Sequence, residues 1–155
     1  MKNKKFFIIL SLEIVAVLCI ALYLLVDHTT ISSYFKNDIK FYEQPENCDL
    51  HVNSCSATLP SYGKISFDIK PKSIPLMKPL IFELTTQDNI LKETLDLHIF
   101  ATNMNMGYYD LKMKKVSQNL YTATTTLPTC IVGNMIWRAE VVLGDEAGVF
   151  IFKTK

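Results

Sequence analysis

Two patterns of apolar and polar positions divide the chain. From Phe6 to Val26, 21 residues run almost without a polar break, interrupted only by Ser11 and Glu13. At the helical rise this run covers roughly 30 Å, the thickness of a bilayer's hydrocarbon core. Beyond it the rhythm changes to alternation. Ile65, Phe67 and Ile69 alternate with Ser66 and Asp68, and Leu80, Phe82 and Leu84 with Ile81 and Glu83. Leu95, Leu97 and Ile99 alternate with Asp96, His98 and Phe100, and Trp137, Ala139, Val141 and Leu143 with Arg138, Glu140 and Val142. Period two with one apolar side is the pattern of a strand half-buried in a sheet. Three further segments read as strands: Tyr108–Val116 and Leu120–Thr126, joined by Ser117-Gln118-Asn119 as a hairpin, and Ala147–Lys153 after a Gly144-Asp145 turn. Ile74–Pro79 carries two prolines and reads as loop or edge. No segment after Val26 has a helical period. About seven short strands predict an all-β domain, an immunoglobulin-like antiparallel β-sandwich preceded by one N-terminal transmembrane helix, with a small open barrel as the alternative.

The charges orient the anchor. Lys2, Lys4 and Lys5 precede the apolar run, and no lysine or arginine follows until Lys36. The positive-inside rule then places residues 1–5 in the cytoplasm, a transmembrane helix at 6–26, a linker at 27–47 and the β-domain, 48–155, on the far side. A cleaved signal peptide is the rival, but the run exceeds the usual apolar region and no small-x-small site follows Val26. Glu13 is an ionisable group inside the span, protonated or turned toward a partner helix. With Lys2, Lys4, Lys5 and Glu13 set aside, 13 of the 16 basic and 14 of the 15 acidic residues remain. That near-neutral domain lacks the basic face that nucleic-acid binding demands.

The chemistry on offer is sulfur chemistry. Cys19 lies in the apolar run, whereas Cys48, Cys55 and Cys130 face an oxidising space if the topology holds. Six residues separate Cys48 from Cys55, wide for a zinc knuckle, and a disulfide closing this short loop is the natural reading. A dithiol that takes a metal or exchanges electrons is its rival. Asn103-Met104-Asn105-Met106-Gly107 follows a predicted strand. Methionines at i and i+2 point one way and can pack into the core, the default for this residue. Thioethers also select Cu(I), so Met104 and Met106 are candidate ligands, with Cys130, His98 or Met135 as a third. Trp137 suits the centre of the core better than a cap on a metal site. The chain has no phosphate-binding Gly-rich loop, no His-Glu-x-x-His, no Gly-x-Ser-x-Gly and no conspicuous carboxylate pair. The expectation is that it is not an enzyme; thiol redox chemistry is the one catalytic alternative.

Several stretches carry a resemblance: Cys48 to Cys55 with Ser56-Ala57-Thr58-Leu59-Pro60, Ile74-Pro75-Leu76-Met77-Lys78-Pro79-Leu80, Met104-Asn105-Met106-Gly107, Leu127-Pro128-Thr129-Cys130 and Met135-Ile136-Trp137. In these the chain resembles small uncharacterised bacterial inner-membrane proteins over roughly residues 48–143. Tyr121, Leu127-Pro128, Gly133 and Trp137 are more loosely similar to the FixH- and YtkA-like extracytoplasmic domains. That resemblance implies an immunoglobulin-like sandwich in the periplasm and a link to copper supply for terminal oxidases. It implies Cu(I) at Met104 and Met106, and inner-membrane oxidase or copper-handling proteins as partners. The chain lacks the longer Met/His-rich runs of established copper carriers. A metal-free module that docks a membrane partner is the other expectation.

Overall fold

The computed structural model describes residues 13–17, 39–104, 107–129 and 134–154. Most of the anchor and the linker, together with Met106 and Cys130, lies outside these. Residues 13–17 are helical and exposed, and among the described residues no helix is long and apolar enough to cross a membrane.

The compact unit begins at Ile39, ahead of the Cys48 boundary expected from the sequence. Nine strands build it: β1 Lys40–Glu43, β2 Cys55–Leu59, β3 Gly63–Lys70, β4 Pro79–Thr86, β5 Thr94–Ala101, β6 Tyr108–Ser117, β7 Leu120–Thr126, β8 Met135–Leu143 and β9 Glu146–Thr154. The all-β expectation is met, and each of the seven strands read from the sequence is present. Residues 40–43 join the sheet because β1 pairs in parallel with β9, Lys40 opposite Glu146 and Glu43 opposite Val149. Every other pairing is antiparallel.

Backbone hydrogen bonding runs unbroken through all nine strands in the order β1-β9-β8-β5-β6-β7-β4-β3-β2. This continuous sheet differs from two stacked sheets and has the form of the open-barrel alternative. Its two ends come together, β2 packing against β9 and β1 without a ladder between them. One core fills the interior. Phe67 of β3 stacks on Phe150 of β9 at 4.7 Å between ring centroids, and Phe82 lies 6.5 Å from Phe152. Burying each such side chain contributes about 1.5–3 kcal/mol. Trp137 is fully buried, edge-on to Tyr109 at 6.2 Å, and its indole N–H donates to Thr154 Oγ1 at 3.0 Å.

Polar contacts fix the end of the barrel where the short turns lie. The Ser61 backbone N–H and hydroxyl donate to the Glu146 carboxylate at 3.1 and 3.0 Å, which satisfies a charge otherwise costly to bury. Gly144 makes the adjacent turn at φ 67°, and a Cβ there would meet the Tyr62 hydroxyl at 2.6 Å. Tyr121, buried in β7, donates from its hydroxyl toward the carbonyls of Ile90 and Lys92 at 3.0 and 2.7 Å. Burial, and secondarily the charge of Glu93, raises its pKa above the ordinary tyrosine value.

The ladders also sort the connections. Four connections lie at one end of the barrel: the hairpins 60–62, 118–119 and 144–145, and the β4–β5 crossover 87–93. The chain enters at this same end, where Lys40 N–H donates to Asp145 O at 2.9 Å. The connections that follow β1, β3, β5 and β7 leave from the other end, where β9 also finishes at Thr154.

Candidate functional site

Of the residues singled out for sulfur and metal chemistry, Cys48 and Met104 lie in connections at this second end, whereas Cys55, His98 and Met135 lie in β2, β5 and β8. Cys48 and Cys55 are joined by a disulfide with a Cα–Cα distance of 5.8 Å. Cys55 is fully buried at the start of β2, and Cys48 packs beside the core from the loop. The loop is held by more than sulfur. The Asp49 carboxylate accepts from His51 N–H at 2.9 Å, an Asx-type turn. The His51 ring spans two neighbours, with Nδ1 2.9 Å from Lys72 O and Nε2 2.7 Å from Lys153 O. Gln44 Nε2 donates to Ile151 O at 3.1 Å and to Cys48 O at 3.3 Å. Turning the amide nitrogen toward two acceptors leaves Gln44 Oε1 buried without a partner.

Between this loop, the β3–β4 connection and the end of β9 opens a cleft of about 930 Å³. Its floor is Ile74, Pro75 and Phe152, and Glu43, Glu46 and Asp49 stand at its rim against Lys153. Cys48 and His51 both line this cleft, but the carbonyls beside the His51 ring lie 21 and 102 residues away along the chain, so the cleft has no local signature in the sequence.

Met104 sits in the β5–β6 connection, half-buried against the core. A shallow groove beside it is lined by Phe100, Tyr108, Arg138 and Glu140. Asn103 sets the position of this loop: its Nδ2 donates to Asn134 O at 2.9 Å, and its Oδ1 accepts from Ile136 N–H at 3.0 Å. Thr102 N–H also donates to Ile136 O at 2.8 Å. The Met104 connection is thereby stapled to the start of β8, where the connection containing Cys130 ends. Asn103 was quoted in the motif, but its role becomes visible only through this pairing.

His98 projects from the outer face of β5. The register sets it between Asp110 of β6 and Glu140 of β8, and its Nδ1 meets Asp110 Oδ1. Met135 faces inward and is fully buried, so its sulfur is core packing. Trp137 is likewise a core residue, as its strand pattern suggests. Among the described residues no group of three or more His, Cys, Asp or Glu is placed to hold a metal ion; Met104 is the one residue of the Met104–Met106–Cys130 set whose placement is described.

No family model, curated protein or solved structure matches this chain. The site is therefore read from its own chemistry. One end of the barrel carries a disulfide-pinned loop, a cleft with an acidic rim and a methionine loop laid against the entry to β8. The other carries three short hairpin turns, the β4–β5 crossover and the incoming chain.

Proposed function

We propose that this chain is a membrane-anchored accessory protein of the bacterial inner membrane, with its N-terminus in the cytoplasm and its β-domain in the periplasm. It handles Cu(I) in support of copper delivery or terminal-oxidase assembly, and it is not an enzyme. Met104, Met106 and Cys130 are the ligands, with His98 as a further candidate. The observation that supports this reading is the Asn103 staple to Asn134 and Ile136, which ties the loop carrying Met104 to the start of β8; Met106 and Cys130 lie outside the described residues. Thioether sulfur suits the chemistry, since it prefers Cu(I) and does not compete for protons; a thiolate from Cys130 would supply charge. The loose resemblance to FixH- and YtkA-like domains, and the immunoglobulin-like arrangement it implies, rests on the sequence motifs alone.

Anaerobic Cu(I) titration of the full chain in detergent, against a competing chelator, tests the metal reading. One equivalent binds with submicromolar affinity, about −8 kcal/mol or stronger. The Met104→Ala/Met106→Ala variant weakens it about tenfold or more, the equivalent of about 1.4 kcal/mol. Binding equal in wild type and variant, at the level of free thiols, contradicts it.

A second reading, a metal-free module that docks a membrane partner, is favoured by the cleft beside Cys48. Its apolar floor and its rim of Glu43, Glu46 and Asp49 have the make-up of a docking site. Copper-independent co-purification of a partner from membranes supports this reading.

A further inference from the structure

The hairpin end of the barrel presents two apolar side chains to solvent. Leu91, at the tip of the β4–β5 connection, is 89% exposed, more than any other large apolar residue described, and Val116 near the end of β6 is 63% exposed. The backbone register sets them on adjacent segments. Lys115 N–H donates to Glu93 O at 3.0 Å, which carries the β5–β6 pairing past Thr94 and lays Val116 beside the Leu91–Lys92 tip. The tip is held from beneath: Ile90 is buried, Lys115 Nζ donates to Asn89 Oδ1 at 3.0 Å, and Tyr121 donates to Ile90 O. Leu91 is thus pushed outward on a supported turn.

Exposure alone does not select this surface. Met77 and Val52, on connections at the opposite end, are 65% and 66% exposed, and single exposed apolar residues are ordinary. Two further observations separate the hairpin end. Lysines surround its tips: Lys92 and Lys114 flank Leu91 and Val116, Lys64 and Lys40 stand at the same end, and none of the four is in an ion pair among the described residues. Asp88, Glu93 and Asp145 share this end, so the balance is only moderately basic. The chain also enters here, at Ile39–Lys40. Residues 27–38, twelve in all, separate that entry from the end of the apolar run at Val26. Fully extended they reach roughly 40 Å, and any less extended path brings the hairpin end nearer to the bilayer.

We infer that the hairpin end is a lipid-contacting surface: Leu91 and Val116 dip into the headgroup region of the bilayer while Lys92 and Lys114 reach lipid phosphates. Apolar tips ringed by lysine are the composition of an interfacial contact, the aliphatic stems lying along the apolar layer and the ammonium groups among the headgroups. Such a contact holds the barrel upright, with the disulfide loop, the cleft and Met104 turned away from the lipid. The inference rests on the anchor reading and goes beyond it, because an anchored domain on a loose tether need not touch lipid at all.

The chain's single tryptophan, Trp137, is fully buried, so a second one reports locally against a constant background. Leu91→Trp, Val116→Trp and, as a control, Met77→Trp are made in the full chain. Each is reconstituted into phosphatidylcholine–phosphatidylglycerol vesicles with and without dibrominated acyl chains, and association is checked by flotation. Leu91→Trp and Val116→Trp lose most of their added emission to the bromines. Met77→Trp, a strand's length of roughly 25–30 Å away, keeps its emission. Protein that floats with vesicles while Leu91→Trp is quenched no more than Met77→Trp overturns the lipid contact and leaves the anchor standing. Protein that does not float overturns the anchor, and the contact with it.

Discussion

Replacing Trp137 with alanine lowers the unfolding free energy of the domain by about 3–5 kcal/mol, the range for deleting a large buried aromatic. Three losses combine. The indole fills the interior between β8, Tyr109 and the end of β9, and its removal leaves a cavity that close-packed neighbours relax into only partly. The edge-on contact with Tyr109 goes. Thr154 Oγ1, in a residue 1% exposed, loses its donor at the same time. Trp137→Phe keeps most of the apolar volume and loses the N–H, and it costs about 1–2 kcal/mol, near the net value of a buried hydrogen bond with a small cavity added. Urea unfolding of residues 27–155, followed by circular dichroism, measures both. A Trp137→Ala midpoint equal to wild type would show that the indole is not the centre of the core.

Opening the Cys48–Cys55 disulfide, by reductant or by the Cys48→Ala/Cys55→Ala pair, costs about 2–3 kcal/mol in the chain-entropy model for so short a loop. The effect concentrates at one end of the barrel. His51 still bridges Lys72 O and Lys153 O, and Gln44 still donates to Ile151 O, so the loop keeps its polar attachments. β2 is a sheet edge hydrogen-bonded only to β3, and it loses the crosslink at its first residue. Hydrogen exchange therefore quickens first at Cys55–Leu59, while β5, β6 and β8 keep their protection. Uniform loss of protection across the sheet, or no change in unfolding midpoint, would contradict this local role.

Much of the sheet was legible because alternation is a local property. Ile65-Phe67-Ile69 and Trp137-Ala139-Val141-Leu143 each show their buried side without reference to a neighbour. β1 fell within the expected linker because Lys40–Glu43 has mostly exposed side chains, and its partner β9 lies about a hundred residues on. β2 was missed because Cys55, Ala57 and Leu59 form a weak apolar stripe that reads first as a cysteine motif. One sheet rather than two could not be told from pattern, since a sandwich and a rolled sheet ask the same alternation of every strand. For the site, the sequence named Cys48 and Cys55 and the pairing stands. It also named Met104, but neither Asn103's staple nor the cleft, because both depend on partners from other connections. His98 reads as a polar-face residue in sequence and structure alike; its engagement by Asp110 follows from strand register.

The most direct test of the account is topological. Protease added to intact spheroplasts should degrade the β-domain and leave only a short protected N-terminal fragment. If the β-domain instead survives until the membrane is permeabilised, it lies in the cytoplasm, and the anchor orientation, the periplasmic copper chemistry and the setting for the disulfide fail together.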